Sequence, residues 1–174
     1  MVLAQYAVDE EKGRHPSQTN CTNIYSVDDQ LCSLWKELVQ EGKITQEEFK
    51  QTTFSFYFRT VEQFKKPFND PDSPVRRKSL ELVSIATHFI PCEYKERWMR
   101  DKGDPKEHAK RYVASIRTWS NATLISGLAD SRSAEKKSRI VDELYHRYES
   151  LVAKNPEDHG VDFVHAYIVI RKRQ

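Results

Sequence analysis

The residues that stand out chemically do so by aromaticity rather than by reactivity. Phe54-Ser55-Phe56-Tyr57-Phe58-Arg59 is too short and too apolar to be an ordinary surface loop. Aromatic clusters of this kind usually fill a core. Reactive constellations are missing: no Ser-His-Asp arrangement and no carboxylate pair is evident. His88, His108, His146, His159 and His165 make no metal-ligand spacing such as HxxxH, and His15 sits in a polar stretch, so no metal is assigned. Cys21, Cys32 and Cys92 are an odd number at wide spacings without a CxxC pair, which indicates neither a disulfide framework nor a structural zinc. Glycine is scarce. Gly13, Gly42, Gly103, Gly127 and Gly160 are too far apart to make a GxG turn, so a P-loop, a dinucleotide fingerprint and a glycine-rich cofactor loop are all missing.

Composition bounds the rest. The 174 residues carry 28 Lys+Arg against 26 Asp+Glu, a formal net charge of +2, and are 38% hydrophobic. That length suits one domain spanning 1–174. The near-balanced charge gives no electrostatic case for nucleic acid, and no run approaches the roughly 18–20 apolar residues needed to span a bilayer. Met1 to Val8 lacks the basic flank and cleavage site of a secretory signal, so a cytoplasmic protein is expected. The sequons at Asn20 and Asn121 then read as coincidence.

The apolar run 2–8 predicts a buried strand, followed by a charged loop over 9–16. Ser26 is a helix N-cap with Asp28 and Asp29 in the first turn, Leu31, Leu34, Trp35, Leu38 and Val39 follow at helical spacing, and Gly42 ends the helix. Thr45-Gln46-Glu47-Glu48 and Thr60-Val61-Glu62-Gln63 are capping boxes for two short helices, the second ending near Pro67. A turn cluster spans 69–74, and 80–90 reads as a strand rich in β-branched and aromatic residues. Asp104-Pro105 opens a helix with Tyr112, Val113, Ile116, Trp119, Thr123 and Leu124 on its stripe, closed by Gly127. Ser133 opens the longest stripe, Ile140 to Val152, stopped by Asn155-Pro156. Arg132 to Arg139 reads as the start of a solvated helix face. Residues 161–171 form the closing strand, apolar enough on both alternating sets to lie inside a sheet with both faces covered. Three strands with four or five helices make a lopsided α/β unit whose first strand has an open edge, as expected of a piece of something larger.

Several segments resemble the C-terminal half of S-adenosylmethionine-dependent methyltransferases of the SABATH type, the plant salicylate and jasmonate carboxyl methyltransferases, and look closest to their bacterial and algal relatives. Met1-Val2-Leu3 is similar to the tail of the family's "GGRMVL" strand, and Leu38 to Ile44 with Glu47-Glu48-Phe49 to its "GLI-EEK" junction. Phe54 to Glu62 is similar to "F-lPyYaPsleE", and Glu143 to Tyr148 to "elFeRy". The prolines of the third segment are replaced by Ser55 or Phe56 and by Arg59, so the substrates of better-known members do not carry over. The resemblance implies the last part of a class I, Rossmann-like methyltransferase fold with an α-helical cap. Strands 2–8, 80–90 and 161–171 would be its fifth, sixth and seventh, the seventh antiparallel between the other two. The cofactor motif and the acidic ribose ligand would then lie ahead of Met1.

The family reaction moves a methyl group from a sulfonium to a carboxylate oxygen, already ionised near neutral pH. A shaped, dry pocket that aligns the reactants, which can contribute roughly 7–11 kcal/mol, matters more there than a reactive side chain. By resemblance Tyr57 is the pocket tyrosine, flanked by Phe54, Phe56 and Phe58. Ser115, Thr118 and Trp119 fall on the cap helix, although Trp119 shares its stripe with Ile116 and core packing competes. Tyr25, Ser26 and Val27 lie at another pocket wall, and Phe163 and His165 near the last pocket contact, where a structural role competes. No catalytic, cofactor-binding or metal residue is assigned.

Two functions follow. The first is the substrate-pocket and cap half of a methyltransferase acting on a small-molecule carboxylate or other oxygen acceptor. It would need S-adenosylmethionine held by a complementing N-terminal half and be inactive alone. The alternative is a non-catalytic interaction module that uses its open first strand to pair with a partner or a second copy. Neither nucleic acid nor membrane is an expected partner.

Overall fold

A computed structural model describes residues 1–8 and 27–173. The charged stretch 9–16, His15, Cys21, the Asn20 sequon, Tyr25 and the N-cap Ser26 lie outside the described residues. The fold is mixed α/β: β1 (Val2–Tyr6), α1 (Val27–Gln40), α2 (Gln46–Gln51), α3 (Val61–Asn69), α4 (Pro74–Arg77), β2 (Leu80–Ile90), α5 (Glu93–Asp101), α6 (Pro105–Ser126), α7 (Ala134–Lys154), a 3₁₀ turn (Pro156–Asp158) and β3 (Phe163–Lys172). No described helix is long and apolar enough to cross a membrane. The described residues divide into a sheet unit, 1–8, 56–91 and 161–173, and a helical unit, 27–55 and 92–160.

In the sheet unit the strands run in the order β1-β3-β2, with β3 antiparallel to both neighbours. Tyr6 and His88 stand opposite His165 on either side, and a bulge between Leu82 and Ser84 shifts the far half of the β2 ladder. Alternation along β3 buries Val164, Ala166, Ile168 and Ile170 against Phe64 and Phe68 of α3 and against Leu82, Ile85 and Phe89 of β2. The other set of β3 is only partly covered, and Tyr167 is exposed. The strand is therefore interior, as its composition predicts, but buried on one face instead of two. Of the apolar run 2–8 only Ala7 and Val8 are buried, and all five residues of β1 are exposed. Ile170 N donates to Met1 O and Ala7 N to Val164 O, both at 2.9 Å, so the backbone groups of Val2, Ala4 and Tyr6 point away from β3. Past the strand, Val8 N donates to Arg59 O at 3.0 Å.

Both expected capping boxes form. Thr60 Oγ1 accepts from Gln63 N at 3.2 Å while Gln63 Oε1 accepts from Thr60 N at 3.0 Å. The helix opened by Thr60 ends near Pro67 as expected, at Asn69. Pro67 lacks only the donor to the preceding turn, a small loss two residues from the end, and its carbonyl accepts from Ser73 Oγ. Ser73 in turn caps α4 by accepting from Arg76 N at 3.2 Å, a short helix that the turn-rich sequence conceals.

In the helical unit, α1 buries Val27, Leu31, Leu34, Trp35 and Leu38, and α7 buries Ile140, Val141, Leu144, Tyr145, Tyr148 and Val152. Gly42 takes φ +70° where α1 ends, and Lys43 N returns to Leu38 O at 2.9 Å, the left-handed cap that glycine permits. Gly127 has a different reason for lacking a side chain. Its backbone is right-handed, but a Cβ there would lie 2.0 Å from Thr52 Oγ1 and 2.9 Å from Thr52 Cα. Helix α5, with only Trp98 buried, has no counterpart among the sequence expectations.

Candidate functional site

The residues named from the sequence fall into two sets, one in each unit. In the sheet unit Tyr57 is 69% and Phe56 49% exposed, so neither ring fills core. Tyr57 is held locally: Gln63 Nε2 donates to its hydroxyl, and the Arg59 guanidinium lies 5.8 Å from its ring centroid. The α3 capping box positions Gln63, so the same residue that starts the helix fixes the tyrosine. Phe56 stacks on Phe58 at 5.9 Å with 7° between planes, and Phe58 meets Tyr6 edge-on at 6.4 Å. Phe163 joins this group through Tyr6 at 5.3 Å and His165 at 6.1 Å. The structure thus brings Phe56, Phe58, Tyr6, Phe163 and His165 into one continuous aromatic surface.

In the helical unit the expected core role of Trp119 is not what is found. Its indole is 39% exposed and meets Phe54 edge-on at 5.9 Å. Ile116, three residues earlier, is buried, so the stripe turns away from the core at Trp119. Ser115 and Thr118 spend their hydroxyls within α6, donating to Tyr112 O at 2.6 Å and Ser115 O at 2.7 Å. As acceptors both oxygens remain available to a donor, whereas a ligand carboxylate would have to displace a helix carbonyl. Val27 is buried in the core. A cleft of about 320 Å³ between α5 and α6, lined by Tyr94, Trp98, His108 and Arg111 among others, contains none of the residues named from the sequence.

Two polar centres escaped the sequence reading. Glu48, 3% exposed, accepts from Thr45 N at 2.8 Å, from Ala129 N at 2.9 Å and from both Nε and a terminal nitrogen of Arg132. The Arg132 guanidinium, helped by the two amides and opposed by burial, holds the Glu48 carboxyl down at about 2. Arg132 is consequently not part of a solvated face. Only the capping half of this arrangement is visible in sequence, because Arg132 lies far along the chain. The second centre joins α6 to α7. Ser120 and Tyr145 share a buried hydroxyl–hydroxyl bond of 2.7 Å, Ser120 Oγ donates to Ile116 O at 2.8 Å, and Arg117 lies 4.9 Å from the Tyr145 ring. Burial pushes the Tyr145 phenol up, so it stays protonated at neutral pH. Both centres are fully engaged inside the protein and hold elements in place.

Among the described residues no three His, Cys, Asp or Glu side chains gather where a metal could bind. No protein-family model matches the sequence, and no curated protein matches it.

Proposed function

We propose that this chain is the substrate-pocket and cap half of an S-adenosylmethionine-dependent methyltransferase that modifies a carboxylate, or another oxygen, of a small molecule. The observation that carries the reading is the sheet: the last strand lies antiparallel between its two predecessors, in the order β1-β3-β2 that the family resemblance implies. Among the described residues no strand pairs with the outer edge of β1, and an edge with outward-pointing N–H and C=O groups is open to a neighbouring strand, which supports it. So does the exposure of Phe56, Tyr57 and Trp119, rings of the kind that bury an organic acceptor.

The donor itself finds no fit among the described residues. The glycines in left-handed conformation, Gly42 and Gly103, both follow helices, and none supplies the turn after a strand that lets backbone approach an adenosyl group. This chain's contribution is to bind and orient the acceptor and to exclude water, and the cofactor half would pair along β1. Calorimetry with S-adenosylhomocysteine tests the division of labour. The chain alone is expected to be silent, and the chain extended through the reading frame ahead of Met1 is expected to bind. Silence from both overturns the assignment, as does binding by the chain alone.

The same edge supports a second reading, a non-catalytic module that pairs through β1 with a partner or a second copy. Substituting Ala4 by Pro removes an outward donor. If the chain self-associates and this change restores a monomer while S-adenosylhomocysteine never binds, the module reading replaces the first.

A further inference from the structure

Beside Tyr57 stands a cation that the described residues leave without an anion. Ala7 pairs with Arg59 in a parallel bridge, and Arg59 O accepts from Val8 N at 3.0 Å. The residue therefore sits just past the carboxyl end of β1, the end at which open α/β sheets hold their ligands. Side chains here alternate as in extended backbone. Phe56 stacks on Phe58, which reaches Tyr6, whereas the Arg59 guanidinium lies 5.8 Å from the centroid of the Tyr57 ring. Both Tyr57 and Arg59 are exposed.

This second pair offers donors and nothing negative. Arg59 makes no ion pair among the described residues, and Glu62, the nearest described carboxylate in sequence, is engaged by Lys65 at 2.6 Å. The Tyr57 oxygen accepts from Gln63 Nε2, which leaves its own proton to donate. Gln63 is fixed by its capping box, and a guanidinium packed against a ring keeps its N–H fork available. Such a fork matches a carboxylate bidentately.

We propose that Arg59 and Tyr57 hold a second, unreacting carboxylate of the acceptor, so that the substrate is a small dicarboxylate methylated at one end. The inference rests on the methyl-transfer reading. Esterification removes the charge of the carboxylate that reacts, so a cation fixed against that group would favour the ground state over the transition state and raise the barrier. A carboxylate that stays charged suffers no such loss. Its bond to Arg59 anchors the far end of the molecule and aligns the near one. A monocarboxylate can only place its single charge on Arg59, with the wrong end held.

The chain joined to a cofactor half, with S-adenosylhomocysteine binding established first by calorimetry, provides the test. Succinate, glutarate, adipate, isophthalate and terephthalate are each compared as acceptors with the matching monocarboxylate. At least one dicarboxylate is turned over with kcat/KM about tenfold or more above its counterpart, which instead inhibits competitively. Arg59→Gln erases the preference, chiefly by raising KM, and Arg59→Lys restores part of it. On the chain alone, the preferred dicarboxylate shifts the Arg59 Nε–H resonance saturably. Circular dichroism reports whether Arg59→Gln folds, and Tyr57→Phe, which removes only the hydroxyl, weakens the same binding if it does not. S-adenosylhomocysteine binding without preference for any dicarboxylate, or a preference that survives Arg59→Gln, overturns this inference and leaves the methyl-transfer reading standing. Absence of S-adenosylhomocysteine binding removes both.

Discussion

Replacing Glu48 tests the claim that one buried carboxylate ties α2 to the start of α7. The side chain accepts four hydrogen bonds and is 3% exposed. Its folded-state pKa falls from 4.5 to about 2, chiefly through Arg132, which corresponds to on the order of 3 kcal/mol of stability at neutral pH. Glu48→Ala would leave Arg132 without its partner and the Thr45 and Ala129 amides without acceptors, a change of the kind that costs about 3–5 kcal/mol. At roughly 2–4 °C per kcal/mol for a chain of this size, the transition of the helical unit should fall by roughly 10 °C. The pKa is depressed, so the stabilisation is complete above about pH 4.5 and is lost as pH falls towards about 2. Trp35 and Trp98, both buried in the helical unit, give a fluorescence signal for urea titrations at neutral and acid pH. The gap between wild type and Glu48→Ala should be large at pH 7 and shrink steadily below pH 4.5. A gap that is the same at both ends of the range, or a variant within about 0.5 kcal/mol of wild type at pH 7, refutes the reasoning.

Other outcomes follow from single contacts. Gly127→Ala drives a methyl group into Thr52 and should cost about 1–3 kcal/mol in urea unfolding, and Thr52→Ala should recover only part, because the Thr52 Cα is itself 2.9 Å from the added carbon. Ser120→Ala and Tyr145→Phe each break the shared 2.7 Å bond, so each should destabilise by about 1 kcal/mol or more and the double variant by less than their sum. Tyr57→Ala, at an exposed position, should leave thermal unfolding within about 1 kcal/mol of wild type, and on the proposed methyl-transfer reading Tyr57→Ala and Trp119→Ala should each abolish acceptor turnover by the chain joined to a cofactor half. Unchanged turnover in both removes these rings from the pocket.

What the sequence discloses depends on how local the cause is. Helices α6 and α7 announce themselves through Asp104-Pro105, Ser133 and long apolar stripes, and both capping boxes are complete within four residues. Helix α5 does not, because it buries only Trp98 and presents charge almost everywhere else. The apolar character of β1 implies burial only if something covers the faces of the sheet there, and the described residues leave all five of its residues exposed. Tyr57 and Phe56 are recognisable as rings, yet whether a ring faces core or solvent is decided by the sheet register and by Gln63, not by its neighbours in sequence. Glu48 with Arg132, and the arginines around Glu81, are meetings of distant segments that no local pattern encodes.

The position of β3 has a consequence for biosynthesis. Among the described residues, strands β1 and β2 pair with no strand but β3, which follows both of them and the helical unit in the chain. During translation the sheet must therefore wait until residues 163–172 leave the ribosome, while the helical unit, finished at residue 160, is free to fold first. Until then β2 remains unpaired on the nascent chain, and a chaperone that shields extended segments would find its client in that interval.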